Sequence, residues 1–230
     1  QKGAEIALDE LRSIKFLDSK FVDTPAVALT QARAEIVRMG EAVQVMYDDV
    51  INSVKDRKLK ELSKWRKRED ALDILQKEIT QFLVKVMQKP IISEESGEIS
   101  ALLRMTNNLE RAGDEIENIA ELMEELIEQG LHFSEGGRND YVTIETEVRK
   151  FLGLVVEAIS RDDREIMQKA QEIEETINRM SDDMKGNHIM RLQSGACTVD
   201  PGLILVDMLK AFEKIGDFCY NIAQAVSGIR

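Results

Sequence analysis

Cysteine, proline and aromatic residues are all scarce in this chain, and each scarcity closes off a class of protein. Two cysteines, Cys197 and Cys219, give neither metal-ligand spacing nor a disulfide framework, so a reducing, cytoplasmic setting is the expectation. Three prolines and 5% aromatics are too few for an all-β fold, which needs turn residues and large strand side chains. No run of roughly eighteen apolar residues occurs, so nothing here reads as a membrane span, and no signal peptide is visible. The chain begins at Gln1 rather than Met, which suits a piece of a longer protein. Walker-type loops, dinucleotide glycine patterns, Ser/His/Asp or Cys/His arrangements and Glu-x-x-His are all missing. The last absence argues against a ferritin-like di-iron oxidase.

What is abundant is charge and helix-forming residues. Charged side chains make up 32% of the 230 residues and hydrophobic ones 43%, with long stretches rich in Glu, Lys, Leu, Ala and Ile. The formal net charge of −12 repels phosphate backbones and sets a nucleic-acid partner aside. It suits cation binding or docking on a basic partner, and it is equally the ordinary surface of an acidic helical protein.

The prolines punctuate the chain. Thr24-Pro25 places a capping residue before a helix-opening proline, and Pro25 starts a helix over 25–55. A second helix runs over 57–88 and stops at Lys89-Pro90; Ser93 caps a third, over 93–130, with Glu in its first turn. The segment 131–140, with Gly136-Gly137, reads as a linker. Helices over 141–160 and 162–192, a loop around Gly195 and a last helix opened by Asp200-Pro201 follow. A short lead-in helix is expected over 5–16. The expected organisation is a lead-in (1–22), a first three-helix unit (23–130), the linker, and a second unit (141–230).

The second unit repeats the first. Residues 108–121 read NLERAGDEIENIAE and residues 211–224 read AFEKIGDFCYNIAQ, with six identities at an offset of 103 and Arg111/Lys214 keeping the charge. The apolar stripes coincide as well. Leu102, Met105, Leu109, Ala112, Ile116, Ile119 and Met123 match Leu205, Met208, Phe212, Ile215, Cys219, Ile222 and Val226. Steps of 3 and 4 make these the core seams of two helices, so Cys219 is a buried small hydrophobe and the methionines are packing residues. In the second helix of each unit, Glu69-Asp70-Ala71-Leu72-Asp73 pairs with Glu174-Glu175-Thr176-Ile177-Asn178. A tandem duplication of three helices is the economical account: an all-α fold of two three-helix bundles plus the short N-terminal helix.

The repeated feature with chemical content is Glu-x-x-x-Asp, in Glu110 with Asp114 and in Glu213 with Asp217. Four residues apart on a helix, two carboxylates share a face and can reach one hard cation. Both pairs point away from the apolar seam. Glu69 and Asp73 form a further pair, which would face Glu110 and Asp114 across a shallow groove if the second and third helices pack side by side. Carboxylates that close raise each other's pKa values unless a cation lies between them. Oxygen-only ligation suits Mg, Ca, Mn or ferric iron better than Zn. A single such pair is what any acidic helix surface shows; its repetition beside Gly113/Gly216 and Asn118/Asn221 sets it apart. Those glycines cost about 1 kcal/mol each against alanine in a helix, a cost that close helix packing is expected to offset, with room for a bound ion as the alternative. His132 in the linker and His188 near a polar helix end read as surface residues. The basic run at 64–68 reads as a solvated face balanced by Glu69 and Asp70, or as a contact for an anionic membrane surface.

The doubled segment from Asn108 to Glu121 and from Phe212 to Ala223 resembles the signature of the PhoU family, which carries it on the third helix of each of two three-helix bundles. The resemblance runs from Thr24 to Val226 and implies negative regulation of phosphate uptake, with surface metal sites on paired Glu/Asp-x-x-x-Asp motifs. Carried over by position, it implies a first site of Glu69, Asp73, Glu110 and Asp114 and a second of Glu174, Glu213 and Asp217, holding Fe, Mn, Mg, Ca or Zn. Asn178 departs from the pattern where a carboxylate is wanted. The segment 16–39 is similar to the stretch after the last membrane helix of bacterial sodium/phosphate cotransporters that end in a PhoU-like tail.

Three functional classes follow: the regulatory tail of a sodium/phosphate symporter, a free-standing PhoU-type regulator, and a metal-dependent enzyme on a helical scaffold. The first is the expectation. It places the domain at the cytoplasmic face of the cell membrane, with the membrane transport domain of the same protein, phosphate and further copies of itself as partners. No catalytic role is expected.

Overall fold

A computed structural model describes residues 13–56 and 65–229. Among these residues there are six α-helices and no strands: α1 (Pro25–Asp56), α2 (Trp65–Met87), α3 (Ser93–Glu128), α4 (Glu135–Arg161), α5 (Met167–Gln193) and α6 (Val199–Val226). A short 3-10 turn, Ser19–Phe21, precedes α1. Most of the expected lead-in helix over 5–16 lies outside the described residues, and its last four residues run as irregular chain.

Helices α3 and α6 lie side by side and antiparallel at the centre, as their cross-pairs show. Asn221 donates to Asn108, Arg111 sits over the Phe218 ring, and Lys214 bridges Glu115 at 2.8 Å. Each central helix is flanked by the two others of its unit, and α1 also packs on α4. Every residue of both expected seams is buried in one continuous apolar core. Phe212 of α6 touches Tyr47 of α1 and Tyr141 of α4, and the Tyr47 hydroxyl donates to the Glu145 carbonyl at 2.8 Å. The core therefore belongs to the molecule as a whole. Cys219 is buried as expected, and burial pushes its thiol pKa far up.

Several element boundaries differ from the sequence reading. Ser93 is the first helical residue rather than the cap; Ile92 holds that place, its N–H accepted by Glu95 at 2.9 Å. The 131–140 segment is a linker only in its first part. Ser134 caps α4 by accepting from the Gly137 N–H, and Gly136-Gly137 fall in the helix's first turn. Their lack of side chains serves close approach instead of loop freedom: a Cβ on Gly136 would stand 3.1 Å from the Arg191 side chain, and one on Gly137 3.1 Å from Leu205. Helix α5 starts at Met167, after a turn in which Asp162 takes a left-handed φ of 51°. Gly130, at φ 65°, ends α3 by turning the chain so that Leu131 donates back to the Leu126 carbonyl.

His188 is a correction. It is buried against Gly202, where a Cβ would meet its ring at 2.0 Å, and its Nδ1 lies 3.7 Å from the Cys197 thiol. Burial and the neighbouring Arg191 lower its pKa. The basic run is corrected at Arg68. Arg68 is buried and bonded to Asp49 at 2.9 Å, and Arg66 grips both oxygens of Glu124 while lying over the Trp65 ring. Arg68 is thus withdrawn from the surface, Arg66 and Lys67 remain on a solvated face as expected, with Arg66 paired to Glu124, and Lys64 lies outside the described residues. Ahead of α1, the buried carboxylate of Glu35 accepts from the Lys15 and Phe16 N–H groups, while Arg38, paired with Glu35, donates to the Ser13 carbonyl. That ion pair straps the entering chain onto α1.

Candidate metal centre

Helices α2 and α3 pack along one another because Gly113 gives way to Leu72: a Cβ at Gly113 would lie 2.9 Å from the leucine methyl. Gly216 faces Ile177 in the equivalent place of the second unit, but more loosely, since a Cβ there would lie 3.4 Å from the isoleucine. The close approach brings the polar faces of α2 and α3 together on the outside. There one oxygen from each of Glu69, Asp114 and Glu117 lies within 4.8 Å of the others. Asp114 is exposed, and the two glutamates are half-buried.

The electrostatics mark a group of charges short of a counter-ion. Burial, with the charges of Asp73, Glu117, Asp70 and Asp114, pushes the Glu69 carboxyl up to about 7. Glu110, Asp114 and Glu117 are raised as well, by burial first and then by neighbouring carboxylates; Asp73 acts on all three. Among the described residues no side chain donates a hydrogen bond to Glu69, Glu110, Asp114 or Glu117. Oxygen donors with excess negative charge in partial shelter fit a hard cation.

The geometry gathers Glu69 and Asp114 at the centre of this group, with Asp73 and Glu110 coupled to it by charge. It also adds Glu117, which the sequence reading missed. Glu117 is three residues beyond Asp114 and seven beyond Glu110, so it shares their face of α3. The repeat hid it, because its counterpart in the second unit is Tyr220.

The second unit is arranged differently. Asp217 is raised by burial and by Glu174 and Glu213, so these three carboxylates are near one another. Glu213, however, accepts from both Ser181 and Lys185, each at 2.9 Å, and Glu174 accepts from Asn178 at 2.6 Å.

A family profile described as the PhoU domain matches the chain twice, over residues 36–123 and 143–226, so the chain belongs to the PhoU family. Among curated relatives it is 23% identical over 224 residues to the "Putative inorganic phosphate export protein YjbB" of Salmonella typhimurium, covering 96% of this chain. The chain spans only 41% of the length of that relative. It is also 23% identical over 200 residues to the phosphate-specific transport system accessory protein PhoU homolog of Pseudomonas aeruginosa, covering 86% of this chain and 81% of the relative. The crystal structure of PhoU from Pseudomonas aeruginosa superposes with a TM-score of 0.80 at 22% identity, over 86% of this chain and 94% of that one. This likeness shows the fold: six helices in two repeats.

Proposed function

We propose that this chain is a PhoU-type regulatory domain of phosphate transport that reads a hard cation through the α2–α3 carboxylates. The observation that carries the reading is the coincidence of a doubled PhoU match with a close group of carboxylates on the first copy's motif. Family membership makes the chain a regulatory protein and not an enzyme. Glu69, Asp114 and Glu117 are the primary ligands, with Asp73 and Glu110 completing the charge; Mn, Mg, Ca or ferric iron suit such oxygen ligands better than zinc.

An accessory-type regulator, as in the Pseudomonas aeruginosa PhoU homolog, is one setting for such a domain, and attachment to a transporter, as in YjbB, is the other. One observation favours attachment to a transporter. The YjbB match takes in 96% of this chain against 86% for the accessory protein, and the strapped segment before α1 lies outside the matched PhoU domain. No helix of the described residues is long and apolar enough to cross a membrane, so in that setting the spans would belong to another part of the protein. Docking there would rest on protein contacts, since Arg66 and Arg68 are each paired with a carboxylate of the chain.

Two measurements test the reading. Chelator-treated protein titrated with Mn should bind it, and Asp114→Asn should weaken binding by more than about tenfold. In a bacterium deleted for its own PhoU homolog, expression of this chain should restore phosphate-dependent control of uptake, and the Glu110→Ala/Asp114→Ala variant should not. Unaltered uptake with well-expressed wild-type chain would overturn the regulatory assignment.

A further inference from the structure

We infer that the second unit carries its own cation, the Lys185 ammonium on Glu213, the counterpart of Glu110 beside the first unit's open carboxylates, so that the chain takes metal in one half only. The inference rests on the metal reading of the first unit and concerns what differs in the second. By the alignment that pairs Glu69 with Glu174, Lys185 stands where the first unit has Thr80, a residue that brings no charge. Glu213, the counterpart of Glu110, gives one and the same oxygen to Ser181 and Lys185, each at 2.9 Å. Lys185 is held from the other side by Asp182 at 3.6 Å, and its side chain is 28% exposed. Asn178, replacing the counterpart of Asp73, donates to Glu174 at 2.6 Å. Glu174 and Glu213 thus each have one oxygen engaged by a donor of the protein, whereas Asp217 accepts from no side chain among the described residues.

Physical chemistry makes this arrangement exclusive. A lysine ammonium is a compact point charge with three donors and no acceptor, so it serves a carboxylate as a cation does but cannot ligate one. A divalent ion approaching Glu213 would either displace the charge-assisted hydrogen bond on Oε2 or take Oε1, and in both cases it would sit beside the like charge of the Lys185 ammonium. Asn178 offers a carbonyl oxygen only if its amide turns away from Glu174. Among the described residues the second unit brings no three carboxylate, imidazole or thiol ligand atoms within 4.8 Å of one another, whereas the first does, and Tyr220 in place of Glu117 removes one carboxylate there. The duplication thus retains Glu-x-x-x-Asp in both copies while its chemistry has diverged: one copy open to a soluble cation, the other closed by a covalently attached one.

The test is Mn binding to chelator-treated protein, measured by dialysis with elemental analysis, in a set of full-length variants whose fold is checked by circular dichroism. Glu69→Gln/Asp114→Asn, which disables the first unit, should lose at least tenfold in Mn affinity. Adding Asn178→Asp to that variant should recover nothing while Lys185 remains. Adding Asn178→Asp with Lys185→Met should restore binding by tenfold or more, and Lys185→Gln should serve in place of Met if the apolar side chain impairs folding. Three results would overturn the inference: Mn held undiminished by the disabled variant, recovery by Asn178→Asp alone, or no recovery when Lys185 is removed. If the wild-type chain binds no Mn but the opened second unit does, the first-unit reading falls and the role of Lys185 stands.

Discussion

Glu69 sits in partial shelter beside Asp73, Asp114 and Glu117, and its proton affinity reports on the whole group. Its folded pKa of about 7 lies above the ordinary 4.5, so between these values the folded chain holds a proton that the unfolded chain releases. Stability of the metal-free protein should therefore fall as pH rises through this window, and the cost is fully present above about pH 7. Thermal melts of chelator-treated protein across the window should show this fall, and Glu69→Gln should flatten it. A melting temperature that rises through the window in the wild type would contradict the assignment. Glu69, Asp73, Glu110 and Asp114 were legible in the sequence because a repeated spacing of four marks one helix face. Glu117 was not, because it belongs to no Glu-x-x-x-Asp pair and Tyr220 stands at its place in the second copy. Lys185 and the burial of His188 were hidden for another reason. Each depends on which residue of a neighbouring helix stands opposite, and helical spacing carries no such information.

At the scale of single elements, capping and proline rules located α1, and α3 to within a residue at its start. They misread Gly136-Gly137, because paired glycines mark loops and close helix contacts alike, and only the partner across the contact separates the two. Gly202 is the sharpest case of such a contact. Gly202→Ala would drive a Cβ into the His188 imidazole, whose ring is hemmed in by Cys197, and should destabilise by about 1–3 kcal/mol through overpacking. Shrinking the ring with His188→Ala should recover part of that loss in urea unfolding; equal damage with and without the imidazole would rule the clash out. The strap before α1 makes a second element-scale prediction. Glu35 is fully buried, so Glu35→Ala takes its carboxylate from the Arg38 guanidinium and from the Lys15 and Phe16 N–H groups and should cost about 3–5 kcal/mol. Replacing both partners by apolar residues, as in Glu35→Leu/Arg38→Met, should cost less. A double variant as unstable as the single one would mean that the strap's backbone hydrogen bonds, and not the ion pair, carry the effect.

At the scale of the molecule, the two repeats that are distinct in sequence share one apolar core. The fold class was legible because two apolar seams at the same offset can only be two equivalent helices. What the seams do not say is that they face each other, making α3 and α6 the shared wall of both bundles. Side-chain contacts decide this: Phe212 packs on Tyr47 from the other repeat, and a Cβ on Gly40 of α1 would lie 2.8 Å from Val156 of α4. A repeat on its own would expose the face that its twin now covers, so the halves should unfold together. Trp65 makes the test possible, since it is the one tryptophan of the chain and is buried in the first repeat. Its fluorescence reports on that half, while far-ultraviolet circular dichroism weighs all six helices. In urea the two signals should change with one midpoint. Phe212→Ala, a cavity made in the second repeat, should move both midpoints by the same amount, corresponding to about 3–5 kcal/mol. If the dichroism shifts and the tryptophan signal does not, the repeats are independent folding units. A regulator built in that way could pass a cation's effect from one half to the other only through a loose hinge. If both shift together, occupancy of the α2–α3 carboxylates in one half is felt directly by α6 in the other, through the packed seam between α3 and α6.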